Sequence, residues 1–333
     1  MDFAFLFNNF AELTITGLAL GAIYGLVALG YTMVYGVLQL INFAHSEVFM
    51  FGTFAVAWVV VYFHGTAQTD QSLTGTLGLL GISLVAAMLT SAAIALLLER
   101  VAYRPLIRKG APKLIILISA IGASFSLAEF MGLRDRIAGW FGLQDNLANY
   151  VSQARNVYSS PVTIDPHGVF SVANYRVTDI DLVVIAAAVL MMFGLDTFVR
   201  RTRLGRGIRA VAQDPESAAL MGVNSTRVIQ ATFLIGGVMA GAAATLYMMK
   251  IGTTRQDAGF ILGVKAFTAA VMGGIGNLRG ALVGGLVLGV AENWGSALFG
   301  TEWKDVVAFV LLVLILLVRP TGILGESVAK ARV

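Results

Sequence analysis

Asn42, His45, Ser46 and Glu47 stand together in QLINFAHSEVFMFG, Gln39 to Gly52, where polar residues interrupt apolar ones without a true loop. An amide, an imidazole, a hydroxyl and a carboxyl this close can line a translocation path for a polar solute. In hydrocarbon all four are costly unless the backbone breaks there and lines a cavity or an interface. Asn42 or Ser46 can cap the half-helix that follows and aim its positive end inward. An interfacial turn between two spans accounts for the same residues equally well.

A second group sits in RRTRLGRGIRAVAQDPESAALMGVNSTRVI, Arg200 to Ile229, which holds six of the 23 basic residues between two apolar segments. Asp214 suits an N-cap and Pro215 the first helical position, and Glu216 lies near the positive end of the helix dipole. Gly222 stops the helix about two turns later. The pattern predicts a short capped helix from Asp214 to Met221, either a handle for a partner or part of a solvated connection. Topology alone explains the flanking Arg203, Arg206 and Arg209, because basic residues gather on the inner face.

Several chemistries are absent. The sequence has no Gly-Lys dipeptide and so no phosphate-cradling loop of the Walker type. It contains neither G-x-S-x-G nor H-E-x-x-H, and His45, His64 and His167 are far apart. With no cysteine there is no disulfide and no thiol-based metal site, so neither a catalytic constellation nor a metal site is expected. Glu47, Glu129 and Glu292 are isolated carboxyls rather than a relay. A self-sufficient channel or ion-coupled carrier would need more than these, and an intramembrane enzyme has no catalytic set to use. Any work of transport must come from a partner, for which the capped helix is the candidate inlet.

The elements that position these groups are membrane spans. Apolar residues make up 57% of the chain and charged ones 13%, with a mean hydropathy of +0.80. Apolar runs of about 20 residues recur without the alternation of an outer-membrane barrel. The fold class is therefore all-α and polytopic, with about eight or nine transmembrane helices. The pI of 9.4 reflects Arg and Lys at span ends, so membrane lipid rather than nucleic acid is the expected surroundings.

The spans are expected near 13–38, 48–63, 77–98, 114–131, 182–199, 228–249 and 306–318, with a glycine-broken segment between the last two. In the first span Gly17, Gly21 and Gly25 form a stripe that lets another helix approach closely; Gly237 and Gly241 form a similar pair. Gly273 and Gly274 begin the break, followed by Gly276 and Gly280, and Arg279 favours a polar location for it. Pro105 and Pro112 are expected to keep the loop after the third span from becoming one long helix. Residues 132–179 form an outer loop, with an amphipathic helix around Ile137 to Tyr150 and a turn at TIDPHG, Thr163 to Gly168. The whole chain, 1–333, is expected to be one transmembrane domain in which 200–227 is a cytoplasmic loop. The acidic start, with no Lys or Arg before Arg100, places the N-terminus outside, and fifteen basic residues against eight place the C-terminus inside. Breaks near Asn42 to Glu47 and Gly273 to Gly280 fall in corresponding halves, an arrangement that marks transport paths.

Four stretches carry a resemblance: GLALGAIYGLVALGYTMVYGVLQLINFAHSE (Gly17 to Glu47), the Arg200 to Ile229 segment, KAFTAAVMGGIGNLRGALVGG (Lys265 to Gly285) and RPTGILG (Arg319 to Gly325). Together they resemble the LivH-type permease of branched-chain amino acid ABC transporters. Glu216, Ala218 and Gly222 keep the spacing of the E-A-A-x-x-x-G element by which such permeases dock on their ATPases. The resemblance implies a type II-like ABC permease, similar in fold to the ribose and vitamin B12 type permeases, in a bacterial plasma (inner) membrane. It also implies a heterodimer with a LivM-like sister permease, two LivG- and LivF-like ATPase subunits that carry ATP and Mg, and an extracytoplasmic substrate-binding protein. No cofactor is expected on this chain itself. Ser46 replaces the usual Gly of N-F-A-H-G-E, Arg279 stands where Pro is common, and Arg255-Gln256-Asp257 replaces a Pro-containing turn. Branched-chain or other amino acids are the expected cargo, with urea or short amides as the alternative.

Overall fold

The computed structural model describes residues 3–64, 73–142, 154–160, 166–173 and 175–325. The chain enters through α1 (Phe3–Asn8) and α2 (Phe10–Leu38), then α3 (His45–His64) and α4 (Leu73–Leu98). A π-helical turn, Glu99–Tyr103, carries α4 on into a last helical stretch, Arg104–Arg108. After it come α5 (Lys113–Gly132), α6 (Arg134–Trp140), β1 (Tyr158–Ser159), β2 (Gly168–Val172) and β3 (Tyr175–Thr178). The rest is α7 (Asp179–Arg201), α8 (Arg203–Gln213), α9 (Pro215–Leu220), α10 (Ser225–Ile251), β4 (Thr253–Thr254), α11 (Ala258–Gly273), α12 (Leu278–Phe299) and α13 (Lys304–Val318). Among the described residues seven helices (α2, α3, α4 with its extension, α5, α7, α10 and α12) are long and apolar enough to cross a membrane. The helices α11 and α13 are shorter, at 16 and 15 residues. The chain is an all-α polytopic membrane protein.

One boundary differs from the sequence reading. Pro105 does not end the helix after α4, because the π turn absorbs it. Arg104 N–H reaches back five residues to the Glu99 carbonyl, and Pro105 falls at the start of the next turn, where no N–H is required. Pro112 does mark a boundary, with extended backbone just ahead of α5. Of the helix expected over Ile137 to Tyr150, α6 begins earlier and ends at Trp140, and positions 143–153 lie outside the described residues. The TIDPHG turn also lies partly outside them. The β2–β3 hairpin that follows feeds α7 through a capping box, in which Thr178 accepts from Asp181 N–H and Asp181 accepts from Thr178.

The chain divides into two compact units. The first comprises Met1–Leu38, His167–Val223 and Lys265–Val333. Its centre is the pairing of α2 with α12. A Cβ placed on Gly21 would stand 2.5 Å from the Gly285 carbonyl oxygen, and one on Gly289 would stand 2.3 Å from the Gly17 carbonyl oxygen. The stripe Gly17–Gly21–Gly25 therefore meets Gly285 and Gly289 at backbone contact, a separation only glycine permits. At one end of the pair Trp294 Nε1 donates to Thr14 Oγ1 at 3.1 Å, and its ring lies against Phe10. The helices α11 and α12 fold into a hairpin through Gly273 and Gly280, whose backbones also touch.

The second unit comprises Gln39–Pro166 and Asn224–Val264. Here α10 packs on α4: Cβ atoms on Gly237 and Gly241 would stand 2.8 Å from Ala92 Cα and 2.4 Å from the Ala87 carbonyl oxygen. Gly52 of α3 is in equally close contact with Ser91 and Ala244, and Ser91 Oγ donates to the Val48 carbonyl. The buried Arg134 guanidinium lies over the Phe54 ring and donates to the Met131 and Ala154 carbonyls, which fixes the segment leading to β1. β1 pairs antiparallel with β4.

These contacts set an expectation for stability. Gly21→Leu or Gly285→Leu should destabilise the detergent-solubilised protein by about 1–3 kcal/mol or more, because backbone rather than a movable side chain opposes the new atoms. Gly36→Leu on the same helix, where a Cβ meets nothing within 4 Å, should stay within about 0.5 kcal/mol. Thermal unfolding of the purified protein compares them; equal midpoints would refute the assignment of the α2–α12 seam.

Candidate functional site

The polar turn lies in the second unit, between the end of α2 and the start of α3. Gln39, at φ +52, turns the chain, and the backbone closes onto α3 through His45 N–H to the Asn42 carbonyl and Val48 N–H to the Ala44 carbonyl. Asn42, His45, Ser46 and Glu47 are all buried. The side chains proposed as caps are bonded elsewhere. Asn42 Oδ1 accepts from the Tyr103 hydroxyl at 2.7 Å, and Ser46 Oγ donates to the Phe43 carbonyl at 2.8 Å. Tyr103 is supplied by the π turn and is held against the Phe233 ring. The widened turn thus sets the phenol that fixes the break before α3.

Glu47 is the chemically open member. Its Oε1 accepts from Ser124 Oγ of α5 at 3.1 Å, while Oε2 is buried without a hydrogen-bond partner. Gly259, in the first turn of α11, closes over it: a Cβ there would stand 2.6 Å from Glu47 Oε2 and 2.7 Å from the Ser46 carbonyl. Three elements (α3, α5 and α11) therefore converge on one carboxyl that retains acceptor capacity. Such a group can accept a proton or an N–H from a solute. Sequence reasoning singled out Glu47 but missed Ser124 as its partner and Gly259 as its cover. A serine in an apolar span is a weak signal, and Gly259 gives none.

The basic segment lies in the first unit and folds as an elbow of two helices. Sequence reasoning found α9 and missed α8. Its signal is Leu204, Ile208 and Val211 at helical spacing, with Arg203 before them and Arg206 and Arg209 between them. Gly205, Ile208 and Val211 are buried, and α8 packs on α7 and α2. Thr202 caps α8 by accepting from Gly205 N–H and donates its own hydroxyl to the Phe198 carbonyl. Arg209 donates to the Val199 carbonyl, while Arg206 is exposed.

Asp214 joins α8 to α9. Its N–H closes α8 onto Ala210, its Oδ1 accepts from Glu216 N–H, and its Oδ2 accepts from the Ser217 hydroxyl. The Ser217 hydroxyl, helped by the Ser217 and Glu216 amides, holds the Asp214 carboxyl below its ordinary range, so the cap stays ionised well into acid. Pro215 occupies the first helical position, Glu216 is exposed and Ala218 is buried. Gly222, at φ +83, ends the helix with the Val223 N–H bonded to the Ala218 carbonyl. Leu220 and Met221 project at the tip, 88% and 86% exposed.

Two ionic clusters of the first unit escaped the sequence reading as pairs. Lys265 Nζ lies 2.5 Å from Glu292 Oε1 and 2.8 Å from Asp305 Oδ1, which ties α11 to α12 and α13. Asp196 of α7 holds Arg200 at 2.7 Å and Arg279 of α12 at 2.8 Å. Asp196 and Arg200 are an i,i+4 pair on α7, but Lys265 with Glu292 and Asp305, and Asp196 with Arg279, are far apart in sequence, so only the tertiary fold pairs them. Among the described residues no group of three or more metal-ligating side chains occurs.

Residues 13–316 match the family described as branched-chain amino acid transport system, permease component. The chain is 40% identical over 321 residues to the high-affinity branched-chain amino acid transport system permease protein BraD of Pseudomonas aeruginosa, covering 96% of each. It is 40% identical to the permease protein LivH of Escherichia coli K12, over 96% of this chain and 97% of that one. A probable branched-chain amino acid permease, LivH of Methanocaldococcus jannaschii, is 25% identical over 92% of this chain and 90% of its own. No solved structure matches the chain. The polar turn, the elbow and the glycine-broken hairpin all fall inside the matched residues, and the chain belongs to the branched-chain amino acid transport permease family.

Proposed function

We propose that this chain is the membrane-spanning permease subunit of an ATP-driven, binding-protein-dependent importer of branched-chain amino acids. The observation that carries the reading is the 40% identity, sustained over 96% of the chain, to relatives named for that transport. The elbow supports it. A capped helix with an exposed acidic residue and two exposed apolar residues at its tip suits an ATPase docking contact, and the sequence carries no phosphate loop of its own. ATP and Mg then belong to two partner ATPases. A sister permease completes the membrane part, and an extracytoplasmic binding protein delivers the substrate. The basic elbow faces the cytoplasm, with the N-terminus outside. This subunit translocates and performs no hydrolysis.

In this reading, binding-protein docking on one side and ATPase closure on the other bias the bundle between outward- and inward-open forms. A zwitterionic amino acid must pass without being trapped, so the path needs few polar groups. The turn of Asn42, His45, Ser46 and Glu47 supplies them, with Glu47 Oε2 still lacking a hydrogen-bond partner beneath Gly259. Selectivity resides mainly in the binding protein.

Two outcomes test this. Leu220→Asp together with Met221→Asp should reduce co-purification of the ATPase subunits by about tenfold or more, equivalent to roughly 1.4 kcal/mol or more of contact energy, with membrane insertion unchanged. ATPases retained at wild-type level would remove the docking role from α9. Glu47→Gln should lower leucine uptake in vesicles by about tenfold while the assembled complex is retained, as expected for losing one charge-assisted contact of roughly 1.5 kcal/mol. Unchanged uptake would return Glu47 to a purely structural part, and vesicles that take up urea but not leucine would overturn the substrate.

A further inference from the structure

Arg279 lies in the glycine-broken segment, and the structure gives it a partner. It is the second residue of α12, and its Nε and Nη2 donate to Asp196 Oδ2 at 3.1 and 2.8 Å. The other Asp196 oxygen accepts from Arg200 at 2.7 Å, so both oxygens of the carboxylate are held and its direction is fixed. A proline at 279 would supply neither the guanidinium nor the N–H that Arg279 donates to Asn277 Oδ1.

On the Asp196 side, α7 ends in the elbow. The Phe198 and Val199 carbonyls are engaged by Thr202 Oγ1 and Arg209, and Gly205 brings α8 into backbone contact with Val199. Asp214 continues this bonded path into α9. On the Arg279 side, Asn277 caps α12 and donates to the Leu324 carbonyl, while Ile323 and Leu324 N–H groups bond to the Met272 and Gly273 carbonyls. Beyond Arg279, α12 runs into the glycine seam with α2. The Asp196–Arg279 pair joins these two bonded assemblies within the first unit.

We propose that the Asp196–Arg279 pair is a strut that passes movement of the α8–α9 elbow to α12, making both positioning residues for translocation. This rests on the reading of the elbow as the ATPase contact. Arg279 is half exposed, so the pair adds little to folding, and its effect falls on coupling. A pair that orients two elements need not stabilise either.

The test uses the complete transporter, with sister permease and ATPases, in proteoliposomes supplied with binding protein and leucine. Uptake and ATP hydrolysis are measured together. Arg279→Ala and Asp196→Asn should lower leucine transported per ATP by roughly three- to thirtyfold, the range over which single residues modulate coupling. ATPase attachment and thermal stability should be unchanged, and Arg279→Lys should recover part of the ratio. Because this chain has no cysteine of its own, Asp196→Cys with Arg279→Cys offers a second reading: a short bis-methanethiosulfonate spacer, which joins the two thiols through reducible disulfides, should raise the ratio and reductant should lower it again. A ratio that stays at the wild-type value in both single variants overturns the strut, as does a loss of uptake and hydrolysis in equal proportion. Failure of any ATPase to co-purify with the wild-type chain instead overturns the docking reading on which the strut rests.

Discussion

The carbonyls of Met272 and Gly273, at the end of α11, illustrate the constraint on which the rest of this structure depends. The last carbonyls of a helix have no partner within it, so where they are shielded from water other protein groups must take that place. Here the amides of Ile323 and Leu324 bond those carbonyls, and the Asn277 side chain caps the start of α12 while donating to Leu324. Gly274 and Gly322, at φ +105 and +83, allow the two backbones to meet. The RPTGILG stretch is thus the second half of the α11–α12 turn, although some forty residues separate them in sequence. The break before α3 obeys the same rule with different means. Its carbonyls at Asn42 and Ala44 bond forward into α3, and Tyr103 fixes the amide of Asn42.

Once breaks are permitted, helix association must be driven without a hydrophobic force between spans, since lipid is as apolar as leucine. The chain answers with glycine, placed where backbones touch. In the first unit the seam runs from Gly17 to Gly25 on α2 and from Gly289 to Gly285 on α12; in the second it joins Gly237 and Gly241 to the Ala-rich face of α4. Such seams gain dispersion energy from many close atoms and leave little room to adjust, so each helix pair behaves as one piece.

The sequence revealed most of the spans and both polar regions because each depends on local pattern. Apolar runs, the Asp214-Pro215-Glu216 cap and the Gly222 stop can all be read within about ten residues. What stayed hidden depends on distance. Gly285 and Gly289 are indistinguishable from other glycines of α12 until α2 is laid beside them. Ser124 becomes meaningful only against Glu47, and Asp196 only against Arg279. Pro105 misled for a related reason: a proline ends a helix by local rules, but a π turn that presents Tyr103 to Asn42 shifts the register around it. The arginines of α8 satisfy two patterns at once, the basic inner face of a membrane protein and one face of an amphipathic helix, and local sequence does not separate the two.

The polar side chains within the spans point to position rather than stability as their role. A buried ion pair such as Lys265 with Glu292 roughly breaks even against apolar packing of the same volume, and a half-exposed one such as Asp196 with Arg279 is worth about 0–1 kcal/mol. An apolar bundle gains little net stability from either. Both pairs do fix direction: Lys265 holds α11 to α12 and α13, and Asp196 holds the end of α7 to the start of α12. The carboxyl of Glu47 is the opposite case, buried with one oxygen free and with a glycine where any side chain would intrude. There Ser124 and the close approach of Gly259, rather than an opposite charge, hold the side chain in place.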